Sequence, residues 1–168
     1  GGLILLALVV LGGGMLMPST VNVARDTLIN APADKIFPHV ANLKAFNEWS
    51  PWAELDPDMV ISFAGEDTGE GQIMTWDSKK DMGSGSMEVV ESIEPETVVT
   101  SLDFGKNGTA TARFDLVPEG DATRVTWSMV SELGYNPIAR WFGPLIKSEV
   151  EEQYAKGLVK LRQKVESQ

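Results

Sequence analysis

The spacing of hydrophobic and polar positions changes twice along this chain. The first stretch, GGLILLALVVLGGGMLMP, has no charged residue before Pro18 ends it. From Ser19 onward, short runs of alternating apolar and polar residues are separated by clusters typical of turns. The final stretch returns to a helical period. This order predicts a hydrophobic N-terminal segment over residues 1–18 and one domain over residues 19–168.

Apolar residues in the final stretch fall on one face of a helix from about Pro144 to Glu166. They recur at steps of three or four, at Ile146, Val150, Tyr154, Leu158, Leu161 and Val165. Acidic residues come early in this stretch and basic residues late, which suits the helix dipole. The pattern predicts a long amphipathic helix that packs its apolar face on another element.

The middle of the chain has the two-residue period of β-strands. TVNVARDTLIN supplies an early strand, and six further runs follow the Pro-rich stretch near residue 51, namely MVISFAG, GQIMTWD, GSMEVVESI, TVVTSLDFG, TATARFDLVP and TRVTWSMV. Because no helical period separates the six later runs, we expect them to form an antiparallel meander.

Two short helices are predicted between the early strand and the meander. NAPADKIFPHV places Pro32 where a helix favours proline, and LKAFNEW directs Leu43 and Phe46 inward. Pro38 predicts a kink or a break. The following FNEWSPW places two of the five tryptophans in what reads as a loop.

Four motifs in this order resemble the START-like (SRPBCC) superfamily, in its polyketide cyclase/dehydrase-like branch. They are Ile29–Trp52, Leu55–Pro57, Gly83–Val89 and Asn136–Gly143. The resemblance implies an α+β helix-grip fold, in which a curved antiparallel sheet of about seven strands wraps a long C-terminal helix, with two short helices after the first strand. It also implies a cavity between the sheet and the helix that binds a lipid or another hydrophobic small molecule.

Composition narrows the classes of function. A net charge of −10 with no Lys/Arg-rich run disfavours nucleic acid as a partner. The absence of cysteine and the single histidine, His39, exclude thiolate chemistry and polyhistidine metal sites. The chain also has no Gly-rich phosphate loop and no metal-ligand spacing, and we expect no metal and no cofactor.

The N-terminal segment predicts a membrane anchor. Seventeen helical residues would span about 26 Å, slightly less than the roughly 30 Å of a bilayer core, so we interpret residues 1–18 as the remainder of a single anchor. We expect the anchor in a bacterial inner membrane, with the side of the membrane left open. A cleaved signal peptide or a buried element of the domain are the alternatives.

Eleven residues are candidates for contact with a ligand. Trp49 and Trp52 are expected near the cavity mouth, because an indole tolerates water at its N–H; the alternative is that they fill the core. Inward positions of the sheet supply Phe63, Met74, Trp76, Met87, Leu102, Phe114, Trp127 and Met129. Packing against the C-terminal helix is the alternative for these eight. Trp141, with Phe142, is expected to gate the cavity from its far side or, alternatively, to meet the membrane.

No catalytic residue emerges from the sequence. Asp77, Glu88, Asp103 and Asp115 alternate with apolar neighbours and should face solvent, and His39 reads as a surface or capping residue. The leading hypothesis is binding or transport of a hydrophobic small molecule or lipid by a membrane-tethered domain. A polyketide cyclase/dehydrase-like enzyme and a protein-interaction module are the alternatives.

Overall fold

The computed structural model describes residues 1–80 and 83–168 of the chain. The helices are α1 (Gly2–Leu16), α2 (Ala33–Ala41), α3 (Leu43–Trp49), α4 (Pro51–Leu55) and α5 (Pro137–Glu166). The strands are β1 (Thr20–Ile29), β2 (Val60–Gly65), β3 (Gln72–Asp77), β4 (Ser84–Ile93), β5 (Thr97–Asp103), β6 (Thr109–Glu119) and β7 (Ala122–Glu132), with a 3₁₀ turn at Gly105–Asn107.

The seven strands form one antiparallel sheet in the order β1-β7-β6-β5-β4-β3-β2. Strands β2 to β7 pair in sequence as a meander, and β1 closes the far side by pairing with β7. The sheet curves around α5, so the predicted α+β helix-grip fold is confirmed.

Alternation along the strands decides which side chains face α5. Val125, Trp127 and Met129 of β7 are buried, whereas Arg124 lies on the outer face. There its guanidinium contacts the carboxylates of Asp26 at 2.6 Å and Glu119 at 2.7 Å. The predicted inner and outer faces of this strand are therefore confirmed.

Helix α5 begins earlier than the sequence indicated. The Oδ1 of Asn136 accepts hydrogen bonds from the N–H groups of Ile138 at 3.0 Å and Ala139 at 3.2 Å, and Pro137 occupies the first helical position. Pro144, the expected start, lies inside the helix. The expectation was wrong because Pro137 and Pro144 both suit a first turn, and the capping asparagine precedes the earlier one.

The connection after β1 also differs in detail. The Pro-rich stretch read as a loop forms the short helix α4, with Ser50 before it and Pro51 at its first position. Helix α2 continues through Pro38 to Ala41. Three short helices therefore follow β1 where two were expected.

Helix α1 rests on the first turns of α5. The indole N–H of Trp141 donates to the carbonyl of Val10 at 2.6 Å, and Nη1 of Arg140 donates to the carbonyl of Met15 at 3.1 Å. Most α1 side chains are exposed, so α1 is not the buried element that the sequence left as an alternative. Among the described residues, no helix combines the length and the hydropathy needed to cross a membrane.

Candidate ligand-binding cavity

A cavity of about 320 Å³ lies between the inner face of the sheet, the short helices and α5. Small side chains meet in the middle of the sheet and leave the space above them unfilled. Thr100 of β5 is the cross-strand partner of Ala112 of β6, and both line the cavity. Leu or Phe at these two positions would fill much of the space. The hollow is therefore a consequence of side-chain size at the centre of the sheet.

Eight of the eleven candidate residues line this cavity. They are Trp52, Met74, Trp76, Met87, Leu102, Phe114, Trp127 and Met129. Strand pairing aligns several of them, since Met74 of β3 lies opposite Met87 of β4, which lies opposite Leu102 of β5. The two thioethers give one wall a deformable apolar surface.

Trp49 is a core residue and not a residue of the cavity mouth. Its side chain is 3% exposed and packs on Phe46 and Trp127, with ring centroids 5.1 and 5.5 Å away. Its indole N–H is directed away from solvent and donates to the carbonyl of His39 at 2.9 Å. The alternative given for Trp49, filling the core, is the one that the structure shows.

Phe63 and Trp141 also lie outside the lining. Phe63 shares the inner face of β2 with Ile61, which lines the cavity, but it sits farther along the strand beneath the ammonium group of Lys44 and is 39% exposed. Trp141 turns toward α1 through its bond to the Val10 carbonyl. The alternation of side chains along β2 correctly predicts that Phe63 points to the inner face of the sheet. It does not predict that Phe63 lies beyond the part of this face that lines the cavity.

Stacked aromatic rings close one end of the cavity. The rings of Trp127 and Tyr154 are nearly parallel, at 8°, with centroids 3.7 Å apart, and Phe114 stacks on the other side of Trp127 at 5.0 Å. Burial raises the pKa of the Tyr154 phenol, so it remains a neutral hydroxyl. Gly157 of α5 leaves room for this stack because a Cβ there would lie 2.9 Å from Cζ3 of Trp127.

The opposite end is framed by lining residues that are partly exposed. They come from α4 and the α4–β2 connection, the 3₁₀ turn and the residue before it, the residue after β7 and the first half of α5. They are Trp52, Met59, Phe104, Asn107 (which is exposed), Leu133, Ile146 and Val150. These residues mark the mouth of the cavity.

A buried carboxylate holds the segment beside this mouth. Asp56 accepts a hydrogen bond from the hydroxyl of Ser78 and another from the N–H of Asp58 at 3.1 Å, and the ammonium group of Lys80 lies 3.8 Å away. The Ser78 hydroxyl contributes most to lowering the pKa of Asp56, followed by the Asp58 N–H and Lys80. Asp56 is not a lining residue, so its role is to hold the α4–β2 connection against the end of β3.

The polar groups of the lining are neutral. They are the hydroxyls and amides of Asn47, Ser50, Thr100, Asn107, Ser131 and Tyr154. Among the lining residues that the structure describes, none is a carboxylate, His, Lys or Arg. Tyr154 belongs to the predicted apolar stripe of the helix, and this pattern identifies its inward direction but not its contact with the cavity. No cluster of three metal-ligating side chains occurs within residues 1–80 and 83–168.

A curved sheet that grips a C-terminal helix around an apolar cavity defines the START-like (SRPBCC) class of proteins. Within this class, the chain belongs to the polyketide cyclase/dehydrase and lipid transport family, whose sequence model matches residues 20–166. A search of the curated proteins found no match to this sequence.

Solved structures share the fold at low sequence identity. The TTHA0849 protein of Thermus thermophilus has a TM-score of 0.67 at 15% identity, covering 87% of this chain and 97% of its own. A norcoclaurine synthase from Thalictrum has a TM-score of 0.64 at 16% identity, covering 86% and 95%. The di-domain ARO/CYC protein StfQ of the steffimycin biosynthetic pathway has a TM-score of 0.65 at 11% identity, and the match covers 88% of this chain and 51% of StfQ. These identities support the fold alone.

Proposed function

We propose that this protein binds or carries a hydrophobic small molecule in the cavity between its sheet and α5. The observation that carries the proposal is a hollow whose walls are thioethers, aromatic rings and aliphatic groups. A space with such walls favours an apolar guest over water. The neutral hydroxyls and amides of the lining would orient one polar group of the guest by hydrogen bonds.

The cavity volume sets the size of the guest. An apolar cavity of about 150 Å³ holds one benzene molecule, and the volume of about 320 Å³ here is roughly twice as large. A molecule of two or three aromatic rings, or one medium-length acyl chain, fits this space. A lipid with two long chains would leave most of its apolar surface outside.

The lining favours binding over acid–base catalysis. A cyclase or dehydrase of the acid–base type needs a titratable group close to the reacting atoms. The Tyr154 phenol is the one titratable side chain of the described lining, and burial raises its pKa and keeps it neutral, while the buried carboxylate of Asp56 lies outside the lining. A carrier or binding role therefore fits the residues better than the enzymatic alternative.

We further propose that α1 holds the domain at a membrane. Its residues carry no charge, and its leucine and valine side chains are exposed on the sides that α5 does not cover. Such a surface is stabilised when it leaves water for an apolar phase.

Filling the cavity tests the binding proposal. Ala112→Leu adds three carbon atoms to the cavity floor, so we expect it to weaken binding of the fluorescent probe 1-anilinonaphthalene by about tenfold or more. Ala24→Leu is the matched control, because Ala24 is an exposed alanine on β1. The measurement is a fluorescence titration of both variants and the parent protein.

Two outcomes would overturn the binding proposal. One is equal probe affinity for the parent protein and Ala112→Leu, which would place the probe on the surface. The other is no saturable probe binding by the parent protein. Unfolding curves of both variants verify that any loss of affinity does not arise from loss of the fold.

A further inference from the structure

An exposed apolar stripe runs along the first turns of α5. Ile138, Trp141, Phe142 and Leu145 are spaced three, one and three residues apart, so they share one face of the helix. Their exposed fractions lie between 43% and 67%. None of these four residues lines the cavity.

Charge is almost absent from this part of the molecule. The chain has 24 acidic and 14 basic residues, yet Arg140 is the only charged residue in residues 1–18 and 133–146 together. The Arg140 guanidinium is buried and donates to the carbonyls of Gly134, at 2.9 Å from Nε, and of Met15, at 3.1 Å from Nη1. The exposed surface of both segments is therefore uncharged.

Helix α1 and the stripe form one continuous surface. A Cβ at Gly13 would lie 2.7 Å from the Trp141 ring, and one at Gly14 would overlap Pro137, so only glycines allow this close approach. The bond from Trp141 to the Val10 carbonyl fixes the contact. We name the exposed residues of α1 together with Ile138, Trp141, Phe142 and Leu145 the α1–α5 surface.

The cavity mouth lies at the edge of the α1–α5 surface. Ile146, which lines the cavity, directly follows Leu145 of the stripe. Leu133, on the other side of the mouth, is within reach of Gly143, and its N–H donates to the carbonyl of Ser19 at 2.8 Å, directly after the segment that contains α1. Anything that covers the surface also meets the mouth.

We propose that the α1–α5 surface lies in an uncharged lipid bilayer, so that an apolar ligand passes between the bilayer and the cavity without crossing water. The ligand exchange rests on the proposed binding function, whereas the contact of α5 with lipid does not. Tyr135 and Trp141 would lie at the headgroup level, where amphipathic rings are stable. Lys147, the first exposed cation after the stripe, would remain in water.

A bilayer fits this surface better than a second copy of the chain does. An interface between copies buries one face and leaves a polar rim, but α1 is apolar around its whole circumference. The net charge of −10 also disfavours close association of two copies and binding to anionic lipid.

The test measures binding of the full chain to vesicles of zwitterionic phosphatidylcholine by flotation. Phe142→Ser combined with Leu145→Ser removes two strongly exposed apolar groups of the stripe, and we expect the partition coefficient to fall by about tenfold or more. The matched control combines Val117→Ser with Val159→Ser, which removes two side chains of similar exposure outside the surface. The control should bind like the parent protein.

Equal partitioning of all three proteins would overturn the proposal, because α1 alone would then account for binding. Self-association that is lost in Phe142→Ser/Leu145→Ser, with unchanged vesicle binding, would assign the surface to a second copy instead. Titration with 1-anilinonaphthalene in the absence of vesicles separates the two proposals. The stripe variant should bind this probe as the parent does, whereas Ala112→Leu should lose the probe and keep its affinity for vesicles.

Discussion

Two tryptophans three residues apart have different roles in this protein. Trp49 is enclosed by aromatic rings and donates its N–H to a backbone carbonyl of α2, whereas Trp52 remains partly exposed at the cavity mouth. Pro51 separates them by ending α3 and starting α4, so the two side chains project in different directions. The sequence FNEWSPW shows the aromatic residues but not this change of direction.

Substitution of each tryptophan should separate stability from binding. Trp49→Phe leaves the carbonyl of His39 without its donor, so we expect the free energy of unfolding to fall by about 1–3 kcal/mol with probe affinity unchanged. Trp52→Ala removes part of the mouth and should weaken 1-anilinonaphthalene binding by about tenfold. Urea unfolding and fluorescence titration of both variants measure these effects. A loss of probe affinity in Trp49→Phe equal to that in Trp52→Ala would contradict the assignment of Trp49 to the core.

At the scale of elements, α5 determines how closely the sheet approaches. Gly157 permits contact with Trp127 and Pro51 at the closed end of the cavity, while Ile146 and Val150, in the other half of the helix, line the hollow. The helix thus packs tightly at one end and leaves space at the other. The spacing of apolar residues predicts the helical stripe, but the change from tight packing to open space along α5 depends on which strand residues lie opposite each turn.

Two glycine substitutions in α5 should have opposite effects. Gly157→Ala places a methyl group 2.9 Å from the Trp127 ring and 3.0 Å from Cδ of Pro51, so we expect a net loss of about 1–2 kcal/mol despite better helix propensity. Gly143→Ala meets only the flexible end of Leu133, at 3.3 Å, and a contact of 3.6 Å with Val21, so we expect a gain of up to about 1 kcal/mol. Chemical unfolding measures both. Stabilisation by Gly157→Ala would show that the aromatic stack is looser than the structure indicates.

The whole molecule combines an acidic outer surface with one uncharged end. Exposed carboxylates on the sheet pair with Arg113 and Arg124 or face water, which agrees with the sequence-based expectation for Asp115. Asp56 is different, because it is buried and connects the α4–β2 segment with the end of β3. Its ionisation therefore links the pH of the solution to the stability of the fold.

We expect Asp56 to contribute to acid unfolding. Its pKa is lowered in the folded protein by the Ser78 hydroxyl, the Asp58 N–H and Lys80, so the charged form stabilises the fold above the unfolded pKa of about 3.9. This contribution is lost as the pH falls below that value and through the lower folded pKa. Asp56→Asn should be less stable than the parent at pH 7, and the difference should shrink in that acidic range. Urea unfolding from pH 7 to pH 3 measures it, with exposed Asp121→Asn as the control; a constant difference across this range would contradict the prediction.

Local sequence patterns determined the fold of this protein. Period-two strands, turn clusters and a final helical stripe specify an antiparallel meander that must bury its apolar face on a helix, because each pattern fixes which side of an element is apolar. The same patterns placed Met74, Trp127 and five other lining residues on the inner face of the sheet. They could not distinguish Phe63 from Ile61, since both share one face of β2.

Only the tertiary structure decided where the inner face stays unfilled and what lies beside the opening. The hollow exists because Thr100 and Ala112, on the neighbouring strands β5 and β6, meet as small side chains beneath α5, which comes much later in the sequence. The uncharged end exists because Gly13 and Gly14 let α1 lie against Trp141 and Pro137. Both features depend on distances between segments remote in sequence, which periodicity along the chain does not encode.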